Sequence, residues 1–164
     1  MRTPPVPVQE LRLDRADEGD FEALLALRLA AMRDGLERLG RFDPARVRER
    51  LGRSFSPVNT RHIVWRGQRV GFMAVTRGES LWRLDHLYVD PAMAGMGIGT
   101  WALEQVLAEA DAEQVAVALT ALKRSDAIRF YERHGFRCIG ENDWDVHYLR
   151  AARPGPTSVP GTSA

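Results

Sequence analysis

The spacing of apolar and polar positions switches between the period of a strand and that of a helix several times along the chain. Val8 to Leu13 alternates and predicts a first strand, and Asp14 to Asp20 then offers several residues able to start a helix. From Phe21 the spacing is helical: Leu24, Leu25, Leu27, Leu29, Met32 and Leu36 form an apolar stripe that stops by Gly40. Asp43 followed by Pro44 reads as a cap and a first helical residue, opening a second helix that ends near Phe55. Thr60 to Trp65 and Arg69 to Thr76 are β-rich and separated by Arg66, Gly67 and Gln68, which predicts an antiparallel hairpin.

The next stretch, LWRLDHLYVDPAMAGMGIGTWALEQVLAEA from Leu81 to Ala110, organises the rest. It opens as a strand to Val89, breaks at Asp90 and Pro91, and reaches Gly95, Gly97 and Gly99 before Ile98, Ala102, Val106 and Ala110 mark one side of a helix. Gln114 to Leu119 is apolar enough for a buried strand, and this strand, helix and strand fit a right-handed parallel crossover. Ser125 or Asp126 begins another helix, which carries Ala127, Phe130 and Tyr131 and stops at Gly135. Phe136 to Gly140 and Trp144 to Leu149 make the last two strands, with Glu141 to Asp143 as their turn. The order predicts an α/β mixed sheet with helices on both faces.

Composition narrows the setting. At 164 residues the chain fits one domain, assigned to 8–150, between a proline-containing arm at 1–7 and a mobile Pro/Gly/Ser/Thr tail at 151–164. The single cysteine, Cys138, rules out an intramolecular disulfide, and its place between Phe136 and Ile139 predicts a buried structural thiol. The opening MRTPPVPVQE holds no apolar run of signal-peptide length and no stretch approaches a membrane span, so a soluble cytoplasmic protein is expected. A net charge of +1 gives no long-range pull towards nucleic acid, and the basic run from Arg46 to Arg53 reads as a solvated helix face.

Glycines at a strand-to-helix junction let backbone approach a ligand, and the unpaired N–H groups of the first helical turn form an anion site. A bound phosphate is predicted there. Gly97, Gly99 and Ala102 satisfy a relaxed dinucleotide pattern, GxGxxA, but the acidic residue expected at the end of the next strand is missing. A Walker loop is excluded because Thr100 and Trp101 follow Gly99 with no lysine before a hydroxyl residue.

Two linked segments, LDHLYVDPAMAGMGIGTWAL and ALKRSDAIRFYERHGF, together resemble the acetyl-CoA-binding core of the GNAT acyltransferase superfamily. The first is similar to the family's strand, Q/R-x-x-G-x-G/A loop and helix, and the second to its helix ending in a tyrosine and a glycine-aromatic pair. The resemblance spans roughly residues 8–150 and implies a single-domain, largely antiparallel mixed sheet with a central splayed parallel pair. It implies acetyl-CoA as cofactor, with the diphosphate on Ala94, Gly95, Met96, Gly97, Ile98, Gly99 and Thr100. The pantetheine arm would pair with backbone at Leu87, Tyr88 and Val89, near a bulge, and Arg124 or Arg129 would share the phosphate work. Two departures stand out: Ala94 replaces the usual glutamine or arginine, and Arg124 replaces an asparagine.

The same resemblance makes Tyr131 the proton donor to departing coenzyme A; read from the residues alone, a core tyrosine bonded to a backbone carbonyl is as good an account. A protonated amine cannot attack a thioester, so a base is needed. His86, directly or through water, and Asp85 are the candidates beside another group, although neighbours on a strand normally face opposite ways. His134 reads as a helix-end cap rather than a catalytic partner, while His62 and His147 are too dispersed for a metal site. No metal is expected, and no acyl-enzyme on Cys138. Arg28, Met32 and Arg33 would rim an acceptor pocket, with Trp144, Asp145 and His147 contributing from the other side. The reading is an N-acetyltransferase acting on a primary amine of a small molecule or amino-acid-like acceptor, by direct attack in a ternary complex. An acyl-CoA-binding sensor without transfer is the alternative and a nucleotide-dependent oxidoreductase comes third; a homodimer is expected to form, where it does, through a sheet edge or the C-terminal strand.

Overall fold

The computed structural model describes residues 8–154; the expected N-terminal arm at 1–7 and the tail from 155 onward lie outside the described residues. Seven strands form one mixed sheet in the order β1-β2-β3-β4-β5-β7-β6. They are β1 (Leu11–Arg15), β2 (Thr60–Trp65), β3 (Gln68–Arg77), β4 (Leu81–Val89), β5 (Ala116–Leu122), β6 (Arg137–Glu141) and β7 (Asp145–Arg150), with helices α1 (Phe21–Arg38), α2 (Pro44–Ser54), α3 (Ile98–Ala112) and α4 (Ala127–Arg133) between them. This is the mixed α/β fold that the sequence predicts, with helices on both faces. The chain divides into two compact units, one made of residues up to Thr76 with Leu84–Leu103, the other of Arg77–Arg83 with residues from Glu104 onward.

In the first unit, Asp17 caps a 3-10 turn, Glu18–Asp20, and makes a reciprocal capping box with Asp20. The Asp20 carboxylate accepts from the Asp17 N–H at 2.9 Å and from Arg69 Nη1 at 3.0 Å, and meets His62 Nε2 at 2.9 Å. That knot fixes the start of α1 against β2 and β3. On α1 the residues Leu24, Leu25 and Leu36 are buried, and so is Arg28. Asp43 caps α2 by accepting from the N–H groups of Ala45 and Arg46 at 3.1 and 3.3 Å, with Pro44 as first helical residue. α2 buries Val47 and Leu51 and turns its arginines outward, where Arg48 pairs with Glu22 and Arg53 with Glu49, so the basic run is a solvated face as expected. The hairpin turn is two residues, Arg66 and Gly67, both at positive φ, and Trp65 pairs directly with Gln68.

The second unit holds the parallel pair, Leu81, Trp82 and Arg83 of β4 against Ala116, Val117 and Ala118 of β5. Trp82 and Val117 are fully buried there. Asp111 on α3 binds Arg150 of β7 through two bonds, at 2.8 and 3.0 Å, and accepts from the Arg153 N–H at 2.9 Å.

Three expectations need correction. The first strand begins at Leu11, not Val8, because Val8–Glu10 is a 3-10 turn whose Glu10 carboxylate holds the Trp65 indole and the Arg66 guanidinium. β5 begins at Ala116 rather than Gln114: Gln114 sits at φ 59 and Val115 still donates to Ala110, which ends α3. The strand instead runs on to Leu122, since Thr120, Ala121 and Leu122 pair with β7. Cys138 is exposed, not buried. β6 is the outermost strand, and most of its residues are open to solvent, Ile139 at 63% among them, so alternation there protects no face.

Candidate active site

The predicted phosphate cradle is built in the first unit. Asp90 fixes its entry, donating its N–H to Val70 O at 2.8 Å while its carboxylate accepts from Ala92 at 2.9 Å. A 3-10 turn, Pro91–Met93, follows. Gly95 and Gly97 then adopt φ of 77° and 81° with open space where a Cβ would point, and α3 starts at Ile98. Any side chain at these two positions would be strained by the left-handed backbone and would intrude on that space. The first α-helical donor is Trp101, to Gly97 O at 3.0 Å, which leaves the N–H groups of Ile98, Gly99 and Thr100 as the helix's orphan donors. No acidic residue stands in that first turn to compete for an anion. Ala94 contributes neither a polar side chain nor a free amide, since its N–H is spent on Pro91 O at 3.2 Å. The residues present therefore fit a diphosphate held by main chain.

Leading into the cradle, Leu87, Tyr88 and Val89 at the end of β4 are half-buried. They are pressed against β3 at Gly71, where an added Cβ would come within 2.5 Å of Tyr88 O and 3.3 Å of Val89 Cα. Gly71 was missed by the sequence reading; an isolated glycine inside a strand pattern is the signal that could have found it.

Asp85 and His86 meet different partners. The Asp85 carboxylate accepts from Thr76 Oγ1 of neighbouring β3 at 2.5 Å. The His86 ring lies 6.1 Å from that of Phe72 and 6.0 Å from that of Tyr88, and its Nε2 is 3.1 Å from Ser54 Oγ at the end of α2. Burial, and then the charge of Arg28, push the imidazole down to about 4 from its usual 6.5, so it is neutral at pH 7. Its Nδ1 is buried with no hydrogen-bond partner among the described residues. Arg28 lies 5.8 Å from the Tyr88 ring, and Met32 stands beside it with its sulfur 3.2 Å from Arg28 Nε. Arg33 belongs elsewhere, paired with Glu37 and stacked on Phe42. Ser54 carried no sequence signal beyond ending a helix.

In the second unit Tyr131 is buried on α4, between the rings of Phe130 at 5.1 Å and Phe136 at 5.6 Å, both edge-on. His134 ends the helix with Nδ1 2.8 Å from Phe130 O, the cap role expected of it. Arg124, ahead of α4, is exposed and adopts φ 63°, a left-handed conformation that asparagine tolerates better than arginine. His147 is engaged by Thr120 at 2.9 Å, and Asp145 begins β7 with its N–H on the Asn142 side chain at 2.8 Å. Trp144 is 50% exposed.

Known proteins give this arrangement a family. The model of the acetyltransferase (GNAT) domain matches residues 59–138, from β2 through the cradle to β6. No curated protein sequence is similar enough to count as a match. Among solved structures, the PaiA N-acetyltransferase of Thermoplasma acidophilum, in complex with coenzyme A, is 13% identical and superposes with a TM-score of 0.71 over 86% of this chain and 98% of that one. An acetyltransferase of Thermus thermophilus is 20% identical, with a TM-score of 0.68 over 86% and 96% of the two chains. The ribosomal-protein-S18-alanine N-acetyltransferase of Escherichia coli is 16% identical, with 0.65 over 91% and 98%. At such identities structural likeness speaks for the fold alone. With the domain match, and with the left-handed glycines placed at a helix start inside it, the chain belongs to the GNAT acetyltransferase superfamily.

Proposed function

We propose that this chain transfers an acetyl group from acetyl-CoA to a primary amine of a small or amino-acid-like acceptor, by direct attack in a ternary complex. Acetyl-CoA-dependent acetyl transfer in general is what family membership supports. The observation that carries the reading is the cradle: two left-handed glycines ahead of three orphan helix donors, inside the family match. Bound acetyl-CoA would supply an activated thioester and leave as a thiol.

Ile98, Gly99 and Thr100 would hold the diphosphate through their N–H groups, with Arg124 adding charge, and the backbone of Leu87, Tyr88 and Val89 would pair with the amides of the pantetheine arm. Tyr131 Oη would give its proton to the leaving sulfur. His86 Nδ1 is the proposed proton acceptor. The Ser54 hydroxyl has one proton and two carbonyls to give it to, Arg50 O at 3.2 Å and Leu51 O at 3.4 Å. It then accepts from His86 Nε2–H, and Nδ1 keeps its lone pair. An imidazole near 4 is a weak partner for an ammonium near 10, so its basicity must rise when the acceptor binds. Asp85 is less suited, since its carboxylate already holds Thr76.

Calorimetric titration with acetyl-CoA, with NAD as comparison, tests the cofactor, and release of free thiol across an amine panel tests the transfer. Micromolar acetyl-CoA binding, no NAD binding and amine-dependent thiol release are expected. Tyr131→Phe should then lower turnover by about 10- to 1,000-fold with acetyl-CoA affinity kept. Binding without turnover on any amine would favour the sensor reading, which Ala94 with its spent amide also suits.

A further inference from the structure

The middle of α1 carries a charge where a leucine would serve the packing better. Arg28 is 6% exposed, and its Nε donates to Met32 Sδ at 3.2 Å. Its Nη1 is buried with no hydrogen-bond partner among the described residues. The second orphan of this kind on the same face is His86 Nδ1, and the Tyr88 ring is the neighbour both share, 5.8 Å from the guanidinium carbon and 6.0 Å from the imidazole centre. A buried guanidinium with a spare donor is costly unless something anionic completes it.

We propose that the acceptor carries a carboxylate, which docks on Arg28 Nη1 while its amine lies towards His86, making the substrate an α-amino acid or a similar amine with a free carboxylate. This rests on the transferase reading above. A carboxylate is preferred to a phosphate because it matches one guanidinium in charge, and Tyr88, Phe72, Met32, Ser54 and the neutral His86, the neighbours among the described residues, add no second cation. The groups facing His86 are Arg28 from α1, Ser54 from α2, Phe72 from β3 and Tyr88 from β4; of these only Arg28 is charged at pH 7. Neutralising it removes one of the two causes that hold the imidazole low. The docked carboxylate thereby raises the basicity of the nitrogen that must take the ammonium proton.

Two measurements test this separately from the transfer itself. In the first, kcat/KM is compared for amino acids offered as free acids and as carboxamides. The acids should be favoured by about 10- to 100-fold, as the loss of a hydrogen bond to a charged group predicts, and Arg28→Gln should bring the ratio close to one with acetyl-CoA affinity unchanged. Arg28→Lys, which keeps the charge and loses the fork, should retain part of the preference. In the second, the His86 imidazole resonance, assigned with His86→Gln, is followed by NMR as sodium acetate or acetamide is added. Acetate should move it and raise its titration midpoint, acetamide should not, and Arg28→Gln, folded by circular dichroism, should lose the response. Equal rates for acids and amides, a preference that survives Arg28→Gln, or a His86 signal indifferent to acetate would each overturn the proposal. Absence of turnover with an Arg28-dependent acetate response would leave the carboxylate site standing and remove the transferase reading.

Discussion

Gly71 sets the position of the β4 residues proposed to meet the pantetheine arm. Its missing Cβ makes room for Tyr88 O and Val89 Cα, backbone atoms that cannot turn aside as a side-chain tip would. Gly71→Ala should therefore displace Leu87 to Val89, costing about 1–3 kcal/mol of stability and weakening acetyl-CoA binding. Unfolding in urea and calorimetry on the same variant check both effects; an unchanged affinity would detach this stretch from cofactor binding. The residues of the candidate site differ in how readable they were. Gly95 and Gly97 announce themselves, because few residues tolerate left-handed backbone and the helix pattern begins next to them. Arg28 and His86 carry no such mark, since a burial that leaves Nη1 and Nδ1 without a hydrogen-bond partner among the described residues is made by neighbours on other elements.

At the scale of elements, local chemistry set most boundaries. Phe21, Pro44 and Leu81 begin their helices and strand where pattern and caps place them, and the Gly135 stop for α4 agrees with the cap found at His134. Where expectation slipped, competing bonds were responsible: Glu10 ties the first turn to Trp65 and Arg66, and Gln114 and Val115 are spent on ending α3. α2 gives a direct test of local coding. Its Asp43 cap holds two N–H groups at one end, and Ser54 meets His86 at the other. Asp43→Ala should cost about 1 kcal/mol, measured by thermal or urea unfolding. A much smaller loss would mean that burial of Val47 and Leu51 alone fixes the helix.

For the molecule as a whole, acid should be felt in two steps. His86 titrates near 4 in the folded chain and near 6.5 when unfolded, so as pH falls the unfolded state takes up the proton first. The stability it contributes is complete above about 6.5 and drains away towards 4, by roughly 3 kcal/mol. Asp20, held down to about 2 from 3.8 by His62, then by the Asp17 N–H and Arg69, adds stability that is lost only between those values. Urea unfolding between pH 7 and 4 should show the first loss, and His86→Gln should flatten it; an unchanged slope would place the acid sensitivity elsewhere. The lower step is expected with His86 intact or replaced.

By itself the sequence determined the order of elements, the glycine cradle and the family. Each of these follows from interactions within a few residues: a two-residue pleat, a 3.6-residue turn, a cap, or a backbone angle that few residues adopt. Only the tertiary structure decided that Cys138 lies on an open edge, that Gly71 meets Tyr88 and Val89, and that Arg28, Ser54 and His86 come to one face around Tyr88. Those outcomes depend on which strand ends the sheet and on residues well separated along the chain, 32 positions for Ser54 and His86, being packed together. Sequence periodicity records which way a residue points, and it carries no account of what will be there to meet it.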